Sequence, residues 1–546
     1  MHLLKINNFK IISIIFFLVV LIFGLLLFKD YGVSLDEDFH KSNASYWQKY
    51  VKSFITNRDS SIISNHEILI KKNIDSGNDL TSSIPSIQPV PLGIIYEFFA
   101  SFLNLENSKE KYQSRHLFNF LIFFVGLLFF YQIIYKRYDS YLYALLGCIF
   151  LFLTPRIFSE SFYNPQDIFF LALTIINMYT GINFLKKPNL KNTILFSISS
   201  ALSIDTRIMG FISFSLILFF YFLKLLRSRI FLREGLKYIY FVIPFTFFFV
   251  ILFWPFLWNN TINNFIFSLS KLSSASFLVT NLYLGEYISS INVPWHYHLV
   301  WIFITTPIII MILFVFGFLF LLKRLFSRFL KLNEEYNDVW RGENEMLDLY
   351  FLAMIVVPIL LLIKGGMGYD GWRHLYFIYP SIILTSLYFF HYLHLLKKIR
   401  FFKSFIYLLI ILNLSYLVYW NIKYHPHQNV YFNLFFKKTF HKNFDLDYWG
   451  LSNKASLKYI LENNTKYPIK VATKSFSALE RNLLILDETD KDKISILYNL
   501  DKADFIITNY RKRIKNDFFI DKDKYKKYYE ILIDGVPINT VYKKII

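Results

Sequence analysis

The stretch Asp30-Tyr31-Gly32-Val33-Ser34-Leu35-Asp36-Glu37-Asp38-Phe39-His40 follows directly on an apolar run from Ile11 to Phe28. That run is long enough to cross a bilayer. Asp36, Glu37, Asp38 and His40 therefore lie within one loop of a membrane surface. Two readings are open: a solvated loop behind an anchor, or a catalytic carboxylate pair held at the interface. The rest of the chain has to separate them.

Of the 546 residues, 55% are hydrophobic and 20% aromatic, and apolar stretches of bilayer-spanning length recur. Such a chain is a polytopic α-helical membrane protein. Its single cysteine, Cys148, lies inside an apolar segment, which excludes an internal disulfide and leaves a thiolate metal site without ligands. A formal charge of +20 raises the question of nucleic acid. Much of it falls in short loops between apolar spans, where the positive-inside rule expects it, so no nucleic-acid partner is implied.

Lys5 and Lys10 precede the first apolar run, which ends Leu27-Phe28-Lys29-Asp30 without the small residues of a cleavage site. The reading is an uncleaved anchor with a cytoplasmic N-terminus. Ten further spans are expected near 116–135, 141–158, 166–185, 193–207, 211–226, 238–258, 299–322, 348–364, 375–395 and 404–421. Basic residues mark alternate loops: Lys136 and Arg137; Lys186, Lys187 and Lys191; Lys224, Arg227, Arg229, Arg233 and Lys237; Lys323, Arg324, Arg328, Lys331 and Arg341; Lys397, Lys398, Arg400 and Lys403. Joining 193–226 into one helix would invert every later loop, so a hairpin with its tip at Asp205-Thr206-Arg207 is preferred.

The expected organisation is a membrane domain over 1–421, with a long first external loop at 29–115, and a small α/β domain over 422–546. Pro91 to Leu105 is too short to span and reads as a helix lying in the interface. In the C-terminal part a helix near 452–463 and strands at Ile469–Ala472, Asp504–Thr508 and Tyr528–Asp534 are expected. The last strand turns through Gly535-Val536-Pro537 into Ile538–Tyr542. With eleven spans this domain is periplasmic or extracellular, and the protein is a multi-pass protein of the plasma (inner) membrane.

On that topology the polar clusters converge on one outer face: Asp36, Glu37 and His40; Arg156, Glu160, Asn164 and Asp167; Asp205 and Arg207; Trp295, His296 and His298; Tyr369, Asp370, Arg373 and His374. Ionisable groups near membrane depth are costly and usually functional. Each cluster also has a structural reading. Asn164-Pro165-Gln166-Asp167 suits a helix N-terminus. Asp205 and Arg207 can pair at a turn, and Trp295-His296-Tyr297-His298 fits an aromatic belt. Tyr369-Asp370-Gly371-Trp372-Arg373-His374, with Gly366 and Gly368 before it, is the least easily reduced to a structural role. No HExxH, Walker loop, GxSxG or CxxC occurs.

An Asp-Glu pair in the first external loop of a polytopic chain with a C-terminal extracytoplasmic domain resembles the GT-C superfamily of glycosyltransferases. The similarity is to the branch of protein O-mannosyltransferases and the lipid A aminoarabinose transferase. It rests on Leu35-Asp36-Glu37, Phe162-Tyr163-Asn164-Pro165-Gln166-Asp167, Pro294-Trp295-His296-Tyr297 and Tyr369-Asp370-Gly371-Trp372-Arg373-His374, in that order. The resemblance implies transfer of a hexosyl or pentosyl unit from a polyprenyl-phosphate carrier to an acceptor hydroxyl of a protein, lipid or glycan, with inversion at the anomeric carbon. Asp36 is then the general base with Glu37 as its neighbour. Arg207, Arg373 and His374 stabilise the leaving lipid phosphate, Arg156 stands in reserve, and Asp370, His40, His296 and Asp167 line the substrate site. No metal site is identified, although a divalent cation beside Asp36 stays open because one branch of the superfamily uses one. The alternatives are a transporter or flippase of a lipid-linked anionic substrate, whose charges should reach both faces, and a scaffold whose external domain binds a partner.

Overall fold

An apolar run in hydrocarbon satisfies its backbone polar groups only within itself, so it folds as a helix. Each of the eleven expected segments is helical over most of its length in the computed structural model, which describes residues 2–56, 87–227, 232–274, 278–330, 340–396, 400–433, 440–511 and 520–545. Residues 57–86 of the first loop and the basic residues Arg229, Lys331, Lys397 and Lys398 lie outside the described residues. Seven helices among the described residues are long and apolar enough to cross a membrane: Asn8–Leu27, Ser108–Tyr138, Asp167–Lys186, Glu234–Phe253, Ile308–Arg328, Gly342–Gly365 and Phe401–Lys423.

The remaining expected spans differ in an instructive way. Residues 141–158 form two helices, Tyr141–Leu153 and Pro155–Tyr163, bent by 69° at Thr154. Pro155 has no N–H to continue the first helix and starts the second. Pro307 likewise divides the segment expected at 299–322 into Tyr297–Thr305 and Ile308–Leu330. Leu190–Thr206 and Gly210–Arg227 form the expected hairpin as two separate helices. The segment at 375–395 opens with a 3₁₀ turn, Arg373–Ile378, before Tyr379–Leu395. Pro91–Phe102 is a short helix whose Ile95, Phe98, Phe99 and Phe102 face outward, the pattern of an interfacial helix.

The helix Ser108–Tyr138 carries polar groups near both ends. At one end Arg137 Nε and Nη2 each lie 2.7 Å from the Asp348 carboxylate, which Arg324 also reaches at 3.1 Å. This buried network ties three helices together. His116 lies near the other end, roughly 30 Å away at 1.5 Å of rise per residue. There, Phe120 stacks on Phe162 at 4.9 Å and Phe162 on Tyr31 at 4.7 Å. That aromatic ladder seats the chain as it leaves the first helix.

The C-terminal domain has the helix Asn453–Glu462 against a five-stranded sheet, with strand order β4-β3-β5-β7-β6. The strands are β3 (Ile469–Thr473), β4 (Ile494–Leu497), β5 (Phe505–Thr508), β6 (Tyr525–Ile533) and β7 (Val536–Lys544). β3 pairs in parallel with β4 and β5, while β6 and β7 form the expected hairpin. β4 was not expected, nor was the ribbon of β1 (Thr280–Tyr283) and β2 (Glu286–Ser289). Each of these three is only four residues long and mixes its apolar residues with polar ones, unlike the equally short β5, which opens on the unbroken apolar run Phe505-Ile506-Ile507.

Candidate active site

The acidic stretch turns into the helix Glu37–Thr56, so Asp36 ends the turn and Glu37 opens the helix. Their side chains part company at once. Glu37 is fully buried. Its Oε2 accepts the Ser34 N–H at 2.6 Å, and its Oε1 lies 2.9 Å from His116 Nε2. A carboxylate in the first turn of a helix also meets the positive end of the helix dipole. Glu37 therefore locks the turn from within. Asp36 points the other way and keeps 32% of its side-chain surface exposed.

Asp36 Oδ2 lies 3.0 Å from Arg373 Nη1, and the same nitrogen reaches Asp167 Oδ2 at 3.1 Å. Arg373 Nη2 approaches Asp370 Oδ2 at 3.4 Å. Asp167 is also paired with Arg207, and Asp370 with Arg511. The result is a chain of alternating charge, Arg207–Asp167–Arg373–Asp36 and Asp370–Arg511, in which three carboxylates face three guanidiniums. Buried ions are tolerated only when paired and hydrogen-bonded in this manner. Arg373 is the hub. It is 3% exposed and lies over the Trp449 ring at 4.6 Å and the Tyr369 ring at 5.0 Å. Arg is suited to the role because its planar fork can serve several oxygens at once.

Local chain geometry aims each member. Asn164 Oδ1 accepts the Gln166 and Asp167 N–H groups at 3.3 and 2.9 Å, as the helix-start reading of that motif expects. Its Nδ2 donates to Glu160 at 2.8 Å and to Asp167 at 3.0 Å, so the same residue also orients the two acids. Asp370 and Gly371 adopt left-handed conformations, φ 54° and 76°. Asp tolerates that region and Gly favours it, and the resulting turn brings Asp370 and Arg373 to the same side. Burial pushes the Asp370 carboxyl up, while Arg511 and Arg373 pull it down. His374 stacks edge-on to Tyr369 at 4.6 Å, and burial, with help from Arg373 and Arg207, holds its pKa well below the ordinary value. His40 is buried behind Asp36, and desolvation lowers it to about 4. It lines a cleft with Gly93, Arg115, Gln166 and Thr206. Gln166 links that cleft to Arg207, whose Nη2 it meets at 3.2 Å.

Of the residues singled out in the sequence, Asp36, Asp167, Arg207, Asp370 and Arg373 form one ion-paired unit, with His40 and His374 beside it. Glu37 faces away from that unit. Arg156 is buried beneath the Trp301, Phe432 and Tyr448 rings and donates to the Tyr431 carbonyl at 3.0 Å. It connects to the chain of charges by way of Tyr448, whose hydroxyl meets Glu160 and so Asn164, and whose carbonyl accepts from Arg511. His296 Nδ1 is hydrogen-bonded to Tyr283 Oη at 2.6 Å, on β1. Asp205 does not pair with Arg207: its carboxyl group is buried with no hydrogen-bond partner among the described residues. Among the described residues no three His, Cys, Asp or Glu side chains converge to hold a metal ion, and Asp36, Asp167 and Asp370 each face a guanidinium.

Sequence reasoning missed Arg511, Trp449, Lys454, Arg481 and Asn482, all from the C-terminal domain. Lys454 Nζ donates to the carbonyls of Lys29, Asp30 and Tyr31 at 2.7, 3.0 and 3.0 Å. No motif or spacing marks these residues, because their partners lie far away along the chain.

No family model matches the chain, and no curated protein matches it. Several solved structures are similar. ArnT from Cupriavidus metallidurans in the apo state is 10% identical over 98% of each chain, with a TM-score of 0.47. The same protein bound to undecaprenyl phosphate is 10% identical over 98% of each chain, with a TM-score of 0.43. The apo oligosaccharyltransferase of Archaeoglobus fulgidus is 10% identical over 90% of this chain and 69% of its own, with a TM-score of 0.45.

Proposed function

We propose that the chain is an integral-membrane glycosyltransferase that moves a sugar from a polyprenyl-phosphate carrier to an acceptor hydroxyl at the outer membrane face. The observation that carries this reading is Asp36, a solvent-reachable carboxylate at the edge of a buried network of paired charges centred on Arg373. An acceptor hydroxyl is a poor acid and needs a base within hydrogen-bond reach. Asp36 takes the proton as the acceptor oxygen bonds to the anomeric carbon. The bond from that carbon to the phosphate oxygen breaks, and its electron pair leaves with the carrier phosphate. Arg373 and Arg207 carry N–H groups suited to the charge that develops there, and Arg373 is itself largely shielded from water. A single displacement of this kind inverts the anomeric centre. His40 and His374, held neutral, add polar surface without further charge.

A transporter is not favoured. The ion pairs at the far end of the helix Ser108–Tyr138 are a separate knot, Arg137–Asp348–Arg324, which joins helices.

The test is reconstitution of the full chain in lipid with a panel of polyprenyl-phosphate sugars, followed by mass spectrometry of lipids, proteins and glycans. Sugar-dependent product with release of the free carrier phosphate supports the reading. Movement of labelled lipid across the bilayer without any transfer contradicts it.

A further inference from the structure

The C-terminal domain grips the site at two points. It holds residues 29–35, the approach to Asp36, through backbone contacts. Asn482 exchanges two hydrogen bonds with Val33, at 3.1 and 3.0 Å, and the Leu35 N–H donates to the Trp449 carbonyl at 3.1 Å. Arg481 donates to the Leu35 carbonyl, and Lys454 caps the three carbonyls before it. Gly32 allows this closeness, since a Cβ there would come 2.8 Å from the Leu451 carbonyl oxygen and nearer still to Asn482. The second grip is Arg511. It is 2% exposed, pairs with Asp370, donates to the Tyr448 carbonyl, and lies over the Phe476 ring at 5.0 Å.

We propose that Arg511 is a positioning residue: it holds Asp370, which in turn holds Arg373 against Asp36, so that the C-terminal domain is a working part of the site. Asp370 spans the two guanidiniums, with Oδ1 toward Arg511 and Oδ2 toward Arg373. Without Arg511 the carboxylate keeps one cationic partner instead of two and is free to turn away from Arg373. Arg373 then shares its charge between Asp36 and Asp167 alone. Asp370 is further surrounded by like charges at Asp36 and Asp167, by Asp445, and by the phenols of Tyr297, Tyr369 and Tyr448. None of these can replace the lost cation.

The activity arm of the test rests on the glycosyl-transfer reading; the exchange arm does not. Arg511→Ala, Arg511→Lys and Asp370→Asn are made in the full chain and compared with the wild type. Displacement of a positioned group costs about 10²-fold in rate, so kcat of Arg511→Ala is expected to fall by that order while KM changes little. Asp370 is the carboxylate that loses Arg511, and removal of one close opposite charge makes a carboxylate take its proton at higher pH, so the acid limb of the pH profile, where protonated Asp370 releases Arg373, moves upward. Arg511→Lys recovers part of both. Hydrogen–deuterium exchange of the peptide covering 366–378 is faster in Arg511→Ala. Wild-type kcat, acid limb and exchange in Arg511→Ala overturn the proposal, as does a fall in kcat with neither the limb nor the exchange altered. If Arg511→Ala does not fold, Arg511→Lys and Asp370→Asn decide by the same readouts. Should the wild type transfer no sugar, the glycosyltransferase reading fails, and exchange at 366–378 still settles the role of Arg511.

Discussion

Adjacent carboxylates with opposite duties make the sharpest prediction. Glu37→Ala removes the acceptor of two buried hydrogen bonds, from the Ser34 N–H at 2.6 Å and the His116 ring at 2.9 Å. Each buried polar group left without a partner costs about 1–3 kcal/mol, so the pair costs about 2–6 kcal/mol. Folded proteins are stable by only about 5–15 kcal/mol, so the variant should unfold at a clearly lower temperature and lose activity together with its fold. Glu37→Gln behaves differently. Its amide oxygen still accepts the Ser34 N–H, and its NH₂ can donate to His116 Nε2 once the ring proton sits on Nδ1, facing the Phe28 carbonyl 3.2 Å away. The glutamine variant should therefore keep most of its thermal stability and most of its kcat. The assay pairs a thermal unfolding midpoint in detergent with initial rates of sugar transfer. A Glu37→Gln protein that unfolds like the wild type but has lost all transfer would refute the division of labour, since Glu37 would then act in the chemistry itself.

Arg373→Lys keeps the charge but not the fork that serves Asp36, Asp167 and Asp370. Loss of one preorganised donor at a developing charge costs about 10²–10³ in rate, and kcat should drop by that order with the fold intact; a rate within a factor of two of wild type would contradict the hub role. His40 is held at about 4 by burial, against about 6.5 in an unfolded chain. The unfolded state therefore binds the extra proton between those values, so this contribution to stability is full above about 6.5 and is lost as pH falls toward 4. His40→Gln should flatten the acid side of the unfolding midpoint plotted against pH, and an unchanged curve would argue against a buried neutral imidazole. Arg137→Ala leaves the buried Asp348 with Arg324 alone, a loss of about 3–5 kcal/mol by analogy with broken buried pairs. Its unfolding midpoint should fall while kcat per folded molecule stays at the wild-type value.

Hydropathy located the helical segments because the membrane leaves an apolar run one way to satisfy its backbone. It did not reveal how Pro155 and Pro307 divide two of them, since a proline in an apolar run is equally compatible with a kink. The polar residues gathered near Arg373 sit in motifs with local signals: a helix start at Asn164–Asp167, and a glycine-rich turn before Arg373. Arg156 and His296 had similar surroundings in the sequence. They differ only in what packs on them, Tyr431 and Tyr448 in one case and Tyr283 in the other. Asp205 and Arg207 show the same limit, because the turn that separates them is set by packing of the two helices. The C-terminal residues were illegible for a stronger reason. Arg511 meets a residue 141 positions away, and Lys454 meets carbonyls more than 420 positions away, and nothing in their neighbours announces either contact.

The acidic turn that follows the first apolar helix carries the central claim, that Asp36 is the base for sugar transfer. The direct measurement is transfer from a polyprenyl-phosphate sugar by wild type and Asp36→Asn, with donor binding and the unfolding midpoint recorded on the same preparations. The account predicts that Asp36→Asn binds donor and stays folded but transfers no sugar. Full transfer by Asp36→Asn would contradict it.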